Sequence, residues 1–165
     1  MSEHRIYARH SGVKNADRLP IPQIKKYIRA ALRVEGVDKP CEVSVLITDD
    51  RGIRKINAEF RGKDSATDVL SFPMQDLSLS GWVDPGPASV DPETGTIPLG
   101  EIVLSAERVR AQAREYGHSA DRETAYLTIH SVLHLLGYEH VSLDEHKKEM
   151  RKREKAIMRE IGIIT

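Results

Sequence analysis

The segment Thr128-Ile-His130-Ser-Val-Leu-His134-Leu-Leu-Gly137-Tyr-Glu-His140 constrains this chain more than any other. Ile129, Val132, Leu133, Leu135 and Leu136 make it apolar nearly all round a helical wheel, so the helix it forms is buried. Residues four apart share one helix face, which directs the imidazoles of His130 and His134 to the same side. Gly137 stands where such a helix stops, because glycine takes the left-handed C′ conformation at little steric cost. The chain can turn there and return His140 as a third ligand. Unpaired imidazoles in apolar surroundings are costly, and a shared cation removes that cost. Three neutral imidazoles suit zinc, or another borderline divalent metal, and leave a fourth position open for water. The expectation is one zinc ion per chain, on a central helix, held by His130, His134 and His140. Two satisfied core histidines are the plain alternative; the glycine and the third histidine count against it.

The remaining elements follow from caps and periodicity. Arg5–Arg9, Glu42–Thr48, Asp68–Phe72 (stopped by Pro73) and Gly100–Ser105 read as strands, the first an edge strand, the last with Ile102 and Leu104 on one face. Pro20 and Pro22 precede a helix carrying Ile24, Tyr27, Ile28, Ala31 and Leu32, with Gly36 at its end. Asp49 or Asp50 caps a helix bearing Ile53, Ile56 and Phe60, and Ser105 caps one that ends at Gly117. Ser119 caps the histidine helix. Ser142-Leu-Asp-Glu145 is a capping box for the last helix, ended by Gly162. In this mixed order the elements make an α+β fold, one mixed sheet of about four strands packed with helices. Residues 1–165 form a single domain, in which the proline-rich stretch 75–98 is a long surface loop, either a lid near the site or a tolerated insertion.

Charge balances to zero over 165 residues, so any nucleic-acid contact must use a local patch. Cys41 is the only cysteine, which excludes an internal disulfide and agrees with a reducing cytosol; it opens an apolar run and is expected to be buried. Neither a signal-peptide pattern nor a membrane-length apolar segment is present, which predicts a soluble cytoplasmic protein with no membrane partner.

The His-x-x-x-His-x-x-Gly-x-x-His spacing is that of the metzincin proteases. In those enzymes the residue after the first histidine is a glutamate base, whereas here it is Ser131, far too weakly basic for that work near neutral pH. This opposes a metallopeptidase and leaves hydrolysis open, because a metal lowers the pKa of its own water. Glu101 and Glu139 are the carboxylates considered as helpers. Arg61, Lys63, Asp64, Thr67 and Asp68 crowd a second stretch, the helix-to-strand connection. Arg61 offers a planar fork for phosphate oxygens; the competing reading is a loop tied down by an Arg61–Asp pair. His118 is a helix C-terminal cation or a helper beside the site. His4, His10 and His146 are expected on solvated surfaces, as are Glu145, Glu149 and Glu154, which interleave with lysines and arginines along the last helix.

Four stretches together resemble the YbeY family of bacterial endoribonucleases: Ile56-Asn57 with Phe60–Asp64, Thr67–Pro73, Leu99–Ser105, and His130–His140. Two departures are mild, since Glu101 and Glu139 stand where the family usually carries aspartate. The resemblance implies a zincin-like α+β fold and a zinc site at His130, His134 and His140. It also implies a basic cleft in which Arg61 acts with the metal on single-stranded RNA. The implied role is maturation of rRNA, especially the small-subunit 3′ end, and ribosome quality control. The implied partners are the small ribosomal subunit and a ribosome-assembly GTPase. On this reading His130 (through the metal-bound water) and Arg61 are catalytic. Arg54, Lys55, Arg61 and Lys63, with Arg51 beside them, are the candidate RNA contacts. The alternative is a non-catalytic assembly factor with a structural zinc.

Overall fold

A period of two runs through the sheet. In the strand Cys41–Thr48, residues 41, 43, 45 and 47 are buried while Glu42, Ser44 and Leu46 are only half-covered. One face of the sheet therefore lies against the main core. The computed structural model describes residues 3–77, 81–138 and 144–163. Among these, four strands form one sheet: β1 (Arg5–His10), β2 (Cys41–Thr48), β3 (Val69–Pro73) and β4 (Ile97–Ser105), in spatial order β1-β2-β4-β3. β1, β2 and β4 are parallel, and β3 runs antiparallel to β4 at the edge. Five α-helices accompany them: α1 (Ile21–Val34), α2 (Asp50–Arg61), α3 (Ala106–Tyr116), α4 (Ala120–Leu135) and α5 (Asp144–Glu160). The fold is the expected α+β arrangement, and its five helices are those that the caps and periodicity marked out.

The two faces carry different cores. Val43, Val45, Ile47, Ile102 and Leu104 pack with Ile24, Ile28 and Leu32 of α1 and with Ile129, Val132 and Leu133 of α4. The residues between them in β4 and β3, Val103 and Leu70, pack on the opposite face against Ile53 of α2. α4 is thus the buried centre of one layer, and α5 covers it from outside by packing on α4 and α1.

β4 begins at Ile97, three residues before the expected Gly100, so Ile97 and Pro98 belong to the sheet and not to the loop. Pairing with β2 shifts register at Glu42/Val43, and a proline is tolerated at such an irregularity. Gly100 sits there at φ 145°, and a Cβ would collide with the Phe72 carbonyl and with Leu135 of α4. The sheet lets the histidine helix close in at this point because no side chain intervenes. Within the connection before β4, Leu77 and Trp82 pack against the main core, and the Trp82 indole donates to Asp38 at 3.0 Å. Gly81 lies against the Tyr138 ring.

The capping expectations hold at α2, α3 and α4, where Asp49, Ser105 and Ser119 accept from the N–H groups of Gly52, Arg108 and Arg122. Cys41 is fully buried, and burial first, then Asp84 and Asp38, pushes its thiol up to about 12. His4 and His10 depart from expectation. The His4 ring accepts from the Cys41 N–H at 3.1 Å and the His10 ring from the Leu19 N–H at 3.0 Å, so both join the N-terminal segment to the core. Among the described residues no helix is long and apolar enough to cross a membrane. Glu139, His140, the start of the Ser142 capping box and the His146 side chain lie outside the described residues.

Candidate metal centre and phosphate-facing loop

α4 starts at its Ser119 cap with Asp121 and Glu123 in the first turn, complementing the helix dipole. It ends in a Schellman arrangement: the Gly137 N–H donates to the His134 carbonyl at 3.1 Å and the Tyr138 N–H to the Leu133 carbonyl at 3.0 Å. Gly137 takes φ 102°, the positive value anticipated for it. Between these ends Leu127, Ile129, Val132, Leu133 and Leu135 fix the rotation of the helix and leave His130 and His134 half-buried on one side.

The two rings stand nearly perpendicular, with centroids 4.6 Å apart and the Nε2 atoms 3.0 Å apart. Two imidazole nitrogens so close need a proton or a cation between them. Ligands at 2.0–2.1 Å from a tetrahedral ion lie about 3.3 Å from each other, so the pair fits two corners of a zinc site with a small adjustment. Among the described residues no group of three metal-ligating side chains is assembled. The third expected ligand, His140, is outside them.

Behind His130 stands a residue the sequence reading placed on a solvated face. The Glu154 carboxylate lies 2.6 Å from His130 Nδ1 and is 4% exposed. A carboxylate can only accept here, so the proton sits on Nδ1 and the Nε2 lone pair faces His134. A ligand histidine anchored through its other nitrogen by a carboxylate is the usual second layer of a metal site. The signal for Glu154 was present: it shares the buried stripe of α5 with Met150, Ile157 and Met158, at spacings of four, three and four. Tyr126, one turn before His130, stacks against its ring at 5.9 Å. Burial, and secondly the Glu154 charge, push the Tyr126 hydroxyl up to about 12.

The helper carboxylate Glu101 sits elsewhere. It pairs with Ser44 and Phe72 across the sheet, alternates with the buried Ile102, and points to the α2 face, away from α4. It is therefore on the face of the sheet opposite the helix that carries the two histidines. Ser131 is fully buried and its hydroxyl has no hydrogen-bond partner among the described residues, so no base replaces the protease glutamate at this position.

The loop after α2 is ordered by Arg54, so the competing Arg61–Asp pair does not form among the described residues. Arg54 holds Asp64 through a two-pronged contact, Nε–Oδ1 2.8 Å and Nη2–Oδ2 3.2 Å, and this hydrogen bond lowers the Asp64 carboxyl below its ordinary range. Gly62 in the left-handed conformation ends α2, with the Lys63 N–H returning to the Asn57 carbonyl at 3.2 Å. The buried Asn57 amide donates to the Ser65 carbonyl at 2.9 Å. Arg61 and Lys63 are exposed and make no side-chain hydrogen bond or ion pair among the described residues, and Lys55 is exposed as well. Asp68 closes the loop, accepting from the Val69 N–H at 2.7 Å and from Gln112 of α3 at 3.3 Å. His118 lies 3.7 Å from the buried Glu123. Burial raises the Glu123 carboxyl, and His118 opposes that shift.

Residues 12–162 match the family described as Endoribonuclease YbeY. This chain belongs to that family. Relatives named Endoribonuclease YbeY include those of Caldanaerobacter subterraneus subsp. tengcongensis, 44% identical over 85% of this chain and 86% of the relative. Another is that of Clostridium botulinum strain Alaska E43, 45% identical over 85% and 87%. A third, from Roseiflexus sp. strain RS-1, is 44% identical over 85% and 82%. In three dimensions the chain is similar to the solution structure of TM1509 from Thermotoga maritima, with TM-score 0.56 over 94% of this chain and 91% of that one. At 24% identity that likeness speaks for the fold alone.

Proposed function

We propose that this chain is a zinc-dependent endoribonuclease that cleaves single-stranded RNA, acting in maturation of the small-subunit rRNA 3′ end and in ribosome quality control. One zinc ion is held by His130, His134 and His140. The partners are rRNA, the small ribosomal subunit and a ribosome-assembly GTPase, and the compartment is the cytoplasm. One observation carries the metal reading: two imidazole Nε2 atoms converge to 3.0 Å while a buried carboxylate holds the first ring from behind. Family membership supports RNA as the substrate.

When bound, the metal supplies an activated water and draws negative charge from the phosphate. The chain does the rest. Glu154 fixes the ring and the proton of His130, so that the lone pair stays on Nε2. Arg61 presents its fork to the non-bridging oxygens, where negative charge grows as the phosphodiester bond breaks. Lys63 and Lys55 add attraction for neighbouring phosphates, and Arg54, besides any such contact, stiffens the loop through Asp64. The buried Ser131 leaves peptide hydrolysis without its usual base.

The test is Arg61→Ala, assayed for fold by circular dichroism, for metal content, and for cleavage of a labelled single-stranded RNA. A folded, metal-replete variant whose cleavage drops by about a hundredfold or more supports the reading, the magnitude expected for removing one charge-stabilising donor. Undiminished cleavage refutes Arg61's role. If wild type binds metal and ribosomal subunits but cleaves nothing, the non-catalytic assembly factor replaces the nuclease.

A further inference from the structure

A cavity of about 340 Å³ lies between the end of α3, the first half of α4 and α5, behind His130 on its Glu154 side. Its wall includes Tyr126 and Glu154, which contact His130 from the side away from His134. Three permanent cations surround it: Arg122 from α4, and Arg151 and Lys155, one helical turn apart on α5. Among the described residues none of the three has a side-chain hydrogen bond or ion pair. The acids in the same wall are already engaged, Glu154 with His130 and Glu123 with His118. Tyr116 and Tyr126 complete the wall, 58% and 39% exposed. Three cations outnumber the two carboxylates in this wall, so the opening carries a net positive charge that attracts an anion.

Resting on the ribonuclease reading, we propose that this cavity seats one nucleotide of the bound single-stranded RNA, on the far side of His130 from its metal-facing nitrogen. Its phosphate lies on Arg122, Arg151 and Lys155, and its base lies against Tyr116 and Tyr126. Arginine forks and a lysine ammonium suit phosphate oxygens. Aromatic rings accept any unstacked base by its π-face, without reading sequence. The volume is at the small end of ligand sites, enough for one splayed nucleotide and far too little for a duplex. Selectivity for single strands follows, because a paired base cannot enter. The site also explains the charge pattern of α5: Arg151 and Lys155 face the cavity, whereas Arg153 is spent on Glu149 at 3.1 Å.

The experiment measures binding of a short fluorescein-labelled single-stranded RNA to the full chain by anisotropy, over a range of salt. Wild type is compared with Arg151→Ala/Lys155→Ala, Tyr116→Ala, Tyr116→Trp and a charge-matched control, Lys26→Ala/Arg33→Ala on α1, outside the cavity. The double cavity variant should bind at least about tenfold more weakly at low salt. Its log–log salt slope should be shallower by up to about 0.7, the value for one lost phosphate contact. Tyr116→Ala should weaken binding at least about fivefold with the slope unchanged, and Tyr116→Trp should restore it. The control should match wild type. A folded double variant with wild-type affinity and slope overturns the proposal while the ribonuclease reading stands. So does loss of ribosomal-subunit capture with RNA binding intact, which would make the surface a protein contact. Failure of wild type itself to bind or cleave RNA removes the ribonuclease reading and this site with it.

Discussion

Removing Glu154 should loosen the metal before it loosens the fold. Its carboxylate meets His130 Nδ1 at 2.6 Å in a site where it is 4% exposed, so Glu154→Ala leaves a mostly buried N–H with nothing to accept it. An orphaned buried donor costs about 1–3 kcal/mol. The imidazole can escape that cost by turning or by moving its proton to Nε2, and either change spoils the donor aimed at His134. Loss of such an outer partner typically weakens metal binding about 10–100-fold. At about 1.4 kcal/mol per decade, that matches the cost of the orphaned donor. Glu154→Gln keeps an acceptor oxygen but loses the charge, which roughly halves the hydrogen bond. Its affinity should fall by only about three- to tenfold. Zinc affinity is read by competition with a fluorescent chelator, the His130 tautomer in metal-free protein by 15N NMR, and integrity by urea unfolding. A folded Glu154→Ala protein whose zinc affinity stays within about twofold of wild type would refute the anchoring role. So would a wild-type His130 protonated on Nε2.

Other consequences follow from the same geometry. Gly100→Ala should lower stability by about 1–3 kcal/mol or more, because the strained φ and the close Phe72 carbonyl leave no space for a methyl group. Denaturant midpoints will show it, and zinc affinity should fall with it as α4 shifts through Leu135. His4 and His10 have lowered pKa values, mainly through burial, so the unfolded chain binds protons that the folded chain resists. Their contribution is present above the unfolded value near 6.5 and is lost as pH falls below it. Urea midpoints in the presence of a chelator should therefore drop between about pH 7.5 and 5.5. The slope should flatten in His4→Gln/His10→Gln; an equally steep slope there would count against this account. Cys41, buried with its thiol raised to about 12, should resist alkylation in the folded protein and react once urea unfolds it.

What the sequence disclosed and what it hid have physical causes. His130, His134 and Gly137 were legible because helix period and glycine conformation are local rules, and the Schellman turn obeys both. Glu154 was hidden by the charges around it, since a run of lysines, arginines and glutamates reads as solvated unless its apolar stripe is traced residue by residue. The competing Arg61–Asp pair fails for a related reason. Which arginine reaches Asp64 depends on where the chain turns after Gly62, and that turn returns Asp64 to Arg54, not Arg61. Pro98 looked like loop because proline is rare in a central strand, yet the register shift opposite Glu42 admits it. His4 and His10 appeared terminal and free, and only the parallel pairing of β1 with β2 carries them to the core. The position of Glu101 was decided by strand parity, a property its motif does not state.

The central claim is that His130 and His134 hold a metal on which RNA cleavage depends. Metal content per chain by mass spectrometry, for wild type and His134→Ala, measured together with cleavage of a labelled single-stranded RNA, tests it most directly. The account predicts about one zinc per wild-type chain, with zinc and cleavage lost together in the variant while the fold survives. A wild-type protein purified gently without metal, yet cleaving RNA at the same rate as the zinc-loaded protein, would contradict it.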